Sequence, residues 1–157
     1  MKLNLNHLIS IIFVLSAIPA IAQTRNNILI ARNSNQSVIE NTVSGQTFSA
    51  FSLPSILGQM KDRQGNDCLG FVGDLPDYTL NLTESFSQLN LAINSQGDTT
   101  MAIQAPNNVL YCGDDISATN PNASVTLTNL PTGEYKVWVG AFDQGDRLNY
   151  SLTINAH

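Results

Sequence analysis

The sequence predicts an all-β protein, an antiparallel β-sandwich or jelly roll of about seven to eight strands. Three observations lead there. Short segments alternate apolar and polar residues with the two-residue period of a half-buried strand. Turn residues separate them at Gly97-Asp98, Pro106-Asn107-Asn108, Pro131-Thr132-Gly133 and Gln144-Gly145-Asp146. After residue 22, no apolar stripe of helical period runs beyond two turns.

Residues 1–22 read as a signal peptide. Lys2 supplies a positive start, "LISIIFVLSAIPA" (Leu8 to Ala20) an apolar core, and Ala20-Ile21-Ala22 the small-x-small cleavage pattern. The apolar run is shorter than the roughly 20 residues that span a bilayer, so it reads as an export signal and not an anchor. The expected product begins at Gln23 and is secreted or periplasmic. Residues 23–44 have an irregular pattern, with "NILIA" as a short strand, and residues 45–157 hold the sandwich.

Within that domain "TFSAFSL" sets Phe48 and Ala50 against Ser49 and Ser52, as a half-buried strand does. "PSILGQMKDRQGNDC" reads as a turn with a single helical turn, then a glycine-containing loop. From there the alternation is regular. Tyr78, Leu80 and Leu82 share a face in "DYTLNLT", as do Leu89, Leu91 and Ile93 in "QLNLAIN" and Met101, Ile103 and Ala105 in "TTMAIQA". "NVLYC" follows the Pro106 turn. Val125 and Leu127 mark the next strand, then Tyr135, Val137 and Val139, and last Leu148, Tyr150, Leu152 and Ile154.

Charge narrows the partners. The chain carries a formal −5, and Lys61 and Arg63 are its one close pair of basic residues. Nucleic acid needs a clustered basic footprint, and an anionic membrane surface needs the same, so both are excluded, as is membrane insertion. Catalysis is set aside as well. His7 lies in the signal and His157 at the end of the sequence, which leaves no Ser-His-Asp set, and G-x-S-x-G, H-E-x-x-H and P-loop motifs are absent.

Cys68 and Cys112 are the only cysteines, and in an oxidising compartment an even pair forms one disulfide. Closing a loop of about 45 residues stabilises a fold by roughly 4 kcal/mol on the chain-entropy model. Two free thiols, or half of a metal site, are the other readings; a zinc site lacks further ligands.

The stretch "LYCGDDISATNPNAS" (Leu110 to Ser124) carries the candidate site. If Pro106-Asn107 centre a hairpin, Ala105 pairs with Asn108 and the ladder sets Asp98 opposite Asp115, with Asp114 beside it. A slip of one residue leaves the three acids at the same end. Their repulsion is relieved either by water around each carboxylate or by a calcium ion, which takes six to eight oxygens. Asn120, Asn122, hydroxyls and backbone carbonyls of the loop complete the candidate set, with Asp98, Asp114, Asp115 and Asn120 as first choices. Asp67, Asp74 and Asp77 flank Cys68 and are candidates for the same acidic surface. Trp138 lies on the face opposite Tyr135, Val137 and Val139. Exposed, its indole stacks on a sugar ring; covered by the second sheet or the sulfur bridge, it is core.

Several of these stretches occur together elsewhere. A Cys-x-Gly start, "PDYTLNL", "SQGDTT", "YCGDD", an Asn-Pro pair, "GEYKVWVGAF" and a closing "YSLTI" strand appear in order between about Gly45 and Ile154. Together they resemble bacterial pre-peptidase C-terminal domains, small β-sandwich or jelly-roll modules of secreted proteins. The resemblance implies a non-catalytic accessory module that engages an extracellular polymer, a cell surface or a secreted partner protein, some related modules binding calcium. The alternative is a carbohydrate-binding protein or weak glycosidase using Trp138 or the Asp98/Asp114/Asp115 corner. A third reading is an inhibitor or chaperone-like partner of a separately encoded protease.

Overall fold

The computed structural model describes residues 26–32 and 38–157, so the expected signal peptide lies outside the described residues. Two sheets face each other. The first contains β1 (Asn26–Ile30), β3 (Phe51–Ser52), β4 (Phe71–Val72), β5 (Tyr78–Leu82), β7 (Thr99–Gln104), β8 (Leu110–Gly113) and β11 (Gly133–Ala141). The second runs β2 (Ile39–Gln46), β12 (Asn149–Ala156), β6 (Phe86–Ser95), β10 (Asn120–Leu130), β9 (Asp115–Ser117). The protein is an all-β sandwich.

The alternating residues do what their period predicts. Tyr78, Leu80, Leu82, Leu89, Leu91, Ile93, Met101, Ile103, Val125, Leu127, Tyr135, Val137, Val139, Tyr150, Leu152 and Ile154 all meet in one core between the sheets. Inside it the Tyr78 and Tyr150 rings pack edge to face, 6.5 Å between centroids, and the Tyr150 hydroxyl donates to that of Tyr78 at 3.1 Å. Gly45 makes room for this pair, because a Cβ there would strike the Tyr150 hydroxyl.

A second, smaller core lies on the other face of the first sheet. Leu53, Val72, Ala102, Leu110 and Trp138 pack there with Cys68 and Cys112. The cover is α1 (Leu53–Leu57), which carries Pro54 in its first turn and stops at Gly58, whose φ of 71° suits a residue without Cβ. Cys68 and Cys112 are bonded, with Cα atoms 5.3 Å apart. β11 is therefore buried on both faces, Tyr135, Val137 and Val139 toward the second sheet and Trp138 toward the cover.

The structure differs from the sequence reading in four places. Among the described residues there are twelve strands, and β3, β4 and β9 are only two or three residues long and escape any periodicity argument. The segment 23–44 contributes β1, at the expected "NILIA" strand, and most of β2, where the pattern is irregular. β1 pairs with β5 in parallel, the one departure from an antiparallel ladder among the described residues. Finally, "TFSAFSL" is turned inside out: Thr47 and Ser49 are buried, while Phe48 is 41% and Phe51 46% exposed. Hydrogen bonds explain the inversion. Thr47 Oγ1 donates to the Asp146 carbonyl and accepts from Leu148 N–H, and Ser49 Oγ accepts from Ala141 N–H. Polar side chains that satisfy backbone groups are worth burying, and a hydrophobicity count cannot see them.

Gly140 marks the tightest contact of β11 with β4. A Cβ there would collide with the Phe71 carbonyl and the Val72 side chain. Gly140→Ala should destabilise the fold by about 2–3 kcal/mol through overpacking. Urea denaturation checks this; a midpoint equal to the parent's would show that β4 can move aside.

Candidate metal site

The acid corner is assembled by two turns at one end of the sandwich. Asp98 ends the β6–β7 turn, Asp114 follows β8, and Asp115 opens β9. One carboxylate oxygen from each lies within 4.8 Å of the others. The expected register is off by one residue: Met101 pairs with Gly113 and Gln104 with Leu110. The cause is a longer turn. Ala105 N–H donates to Val109, not to Asn108, and Asn107 and Asn108 both adopt positive φ between them. Asparagine tolerates that region better than other side-chain-bearing residues. The slip shifts the ladder without moving the acids to the other end.

Asn122 holds the two turns together. Its Oδ1 accepts from Ser95 N–H at 3.0 Å and its Nδ2 donates to the Ser95 carbonyl at 3.2 Å. Thr99 Oγ1 accepts from Ala123 N–H at 2.9 Å. These bonds tie the start of β10 to the turn that carries Asp98. Residues 120–123, expected as loop, are thereby part of a strand. Asn120 is already engaged: its Oδ1 accepts from both the backbone and the side-chain nitrogen of Asn122.

Electrostatics follow from this crowding. Burial raises the Asp114 carboxyl above its ordinary range, with Asp115 and then Asp98 adding to the effect. Asp98 is raised too, by burial and then by Asp115 and Asp143. One oxygen of Asp114, Oδ1, is out of contact with water and has no hydrogen-bond donor. A carboxylate oxygen in that position is costly unless a proton or a cation meets it.

The flanking acids separate. Asp67 pairs with Lys61 at 2.6 Å and lines the same shallow depression as Asp114 and Asp115. Asp74 instead lies beside Trp138 in a cleft under α1. Asp77 turns toward β11, where Oδ2 accepts from Val139 N–H at 2.8 Å. The sequence reading overlooked Asp62. Its buried carboxylate accepts from Gln64, Asn66 and Cys112 N–H groups, fastening the 62–66 loop to β8 beside the disulfide. Nothing in the local sequence separates Asp62 from an ordinary loop acid, since its distant partner is reached only in the fold.

Trp138 belongs to the covered alternative. It is 5% exposed and packs against Leu53, Leu110 and the two cysteines, which leaves no ring face for a sugar. The cover is the helix and the bridge, not the second sheet.

Fold and site together describe a small β-sandwich module, cross-linked by one disulfide and bearing an acidic corner at one end. No family model matches the chain, and no curated protein matches it. Among solved structures it is similar to the pre-peptidase C-terminal domain of a collagenase from Bacillus anthracis. That likeness has 15% identity and a TM-score of 0.49, covering 83% of this chain and 94% of the other. It is also similar to PliG of Aeromonas hydrophila, a periplasmic inhibitor of g-type lysozyme, at 9% identity and a TM-score of 0.42, covering 84% and 96%. The first is of the domain type that the sequence motifs resemble. No helix among the described residues is long and apolar enough to cross a membrane.

Asp77 gives this region a pH signature. Burial lifts its carboxyl from 3.8 to about 6, against the lowering effect of the Val139 N–H. A carboxyl raised in the folded state holds its proton more tightly folded than unfolded. Its contribution is therefore complete below 3.8 and lost as pH climbs through about 6. The loss is on the order of 3 kcal/mol. Asp77→Asn should flatten urea stability between these pH values, leaving a smaller slope of the same sign from Asp98 and Asp114; an unchanged profile would refute the assignment.

Proposed function

We propose that this protein is an exported, non-catalytic binding module whose acidic corner holds a calcium ion. The observation that carries the metal reading is the orphaned Oδ1 of Asp114, a residue whose carboxylate shares one small space with those of Asp98 and Asp115. Calcium accepts such a set and fills its remaining positions with backbone carbonyls and water. Asn120 enters the shell only by releasing Asn122, so Asp98, Asp114 and Asp115 are the primary ligands and Asn120 a secondary one.

The export reading is supported by the signal-type pattern of residues 1–22 and by the disulfide, which suits an oxidising compartment. In such a compartment calcium is abundant enough to fill sites with dissociation constants of roughly 0.1–1 mM. The ion would fix the β6–β7 turn against the β8–β9 corner. That presents a firm surface to an extracellular polymer, a cell surface or a secreted protein, the partner classes that the motif resemblance implies.

Thermal unfolding with and without calcium tests the site. At about 10 mM calcium and a dissociation constant near 1 mM, the folded state gains about 1.4 kcal/mol. The midpoint should rise by a few degrees, return with EDTA, and cease to respond in Asp114→Asn. A calcium-independent midpoint would leave the acids individually hydrated.

A further inference from the structure

We infer that the edge of β2 that no other strand pairs with among the described residues is a self-association surface, which pairs antiparallel with β2 of a second copy of this chain. The edges of the two sheets are not equally protected. β9 is three residues long, and its pairing with β10 shifts register. The edge of β8 is covered: Arg63 N–H donates to the Leu110 carbonyl and Asp62 accepts from Cys112 N–H. β1 is five residues long and paired in parallel. β2, by contrast, pairs with β12 through eight consecutive residues with no bulge, contains neither Pro nor Lys, and carries one charge, Glu40. An unblunted edge of this kind invites another strand.

The alternation of the ladder says which groups are free. Thr47 N–H donates to the Leu148 carbonyl at 3.0 Å, so odd-numbered residues of β2 bond to β12. The N–H and C=O groups of Glu40, Thr42, Ser44 and Gln46 point away from it. Among the described residues only the Ser44 carbonyl of this set has another contact, a long 3.4 Å bond from the Tyr78 hydroxyl, and it keeps a second lone pair. The side chains of these four residues are exposed, and two exposed apolar residues bracket them, Val38 at 42% and Phe48 at 41%.

Read from either end, Val38, Glu40, Thr42, Ser44, Gln46 and Phe48 give the same order of chemistries: apolar, carboxylate or amide, hydroxyl. A two-fold axis at Val43 is therefore self-complementary, as an isologous interface must be. It places Val38 against Phe48 of the second copy, Glu40 against Gln46, and Thr42 against Ser44. Like charges never face each other across it. The register also suits the backbone, since it brings even residues opposite even residues and forms about eight hydrogen bonds. Arg147, whose guanidinium carbon sits 5.2 Å from the Phe48 ring centroid, has no acidic partner among the described residues. The pairing brings Glu40 of the second copy to the same end.

Sedimentation velocity between about 5 and 200 µM tests this, and a concentration-dependent dimer is expected. Gln46→Glu sets two carboxylates against Glu40 in each dimer and should weaken association about tenfold at low salt, while Gln46→Lys should tighten it by a similar factor. Thr42→Pro removes an outward N–H that β12 does not use, and should yield a folded monomer by circular dichroism. A protein that stays monomeric throughout, or a dimer that both Gln46 changes affect alike, would overturn the proposal. None of these outcomes depends on calcium.

Discussion

The bond between Cys68 and Cys112 constrains more of this molecule than any other single contact. It closes a loop that contains β4, β5, β6 and β7, and it presses the segment from Leu53 to Val72 onto the outer face of the first sheet. Without that cover Trp138 would be wet, and β11 would be a half-buried strand. With it, β11 becomes the spine of the domain, bonded to β5 and β4 along one edge and β7 along the other. Asp62 secures the same junction by hydrogen bonds to three N–H groups. The acid corner starts two residues past Cys112, so its position on β8 is set by this junction.

The sandwich was legible in the sequence wherever one strand face met the core and the other met water. β6, β10 and β12 obey that condition, and in β5, β7 and β11, whose other face is largely covered as well, the apolar residues still sit where alternation puts them. Failures occur where a different force decides. In "TFSAFSL" the deciding force is hydrogen bonding by Thr47 and Ser49, which reverses the expected faces. In β2 the outward residues are Glu, Thr, Ser and Gln, and the inward ones include Asn41 and Gly45, so hydrophobicity hardly varies along the strand. β1 depends on a parallel partner far along the chain, and no local pattern announces that.

The candidate site was legible in a similar, partial sense. Turn chemistry at Pro106 fixed that two distant acidic stretches return to one end, and the actual register differs by a residue without dispersing them. Less visible was the machinery that holds the corner. Asn122 reads in the sequence as one more polar loop residue, a possible calcium ligand. In the fold it is nearly buried, spends both ends of its amide on Ser95, and stands behind the acids as a brace. Amide side chains advertise no preference between those roles until their neighbours are known.

The central place of β12 in its sheet has a consequence for biogenesis. This strand, Asn149–Ala156, lies between β2 and β6 and supplies the ladder to both. During synthesis β2 emerges more than a hundred residues before β12, the strand it pairs with among the described residues, so its sheet cannot close until β12 has emerged. Until Asn149–Ala156 has been made, β2 and β6 stand apart with an unfilled place between them, while the pairing of β6 with β10 needs nothing further.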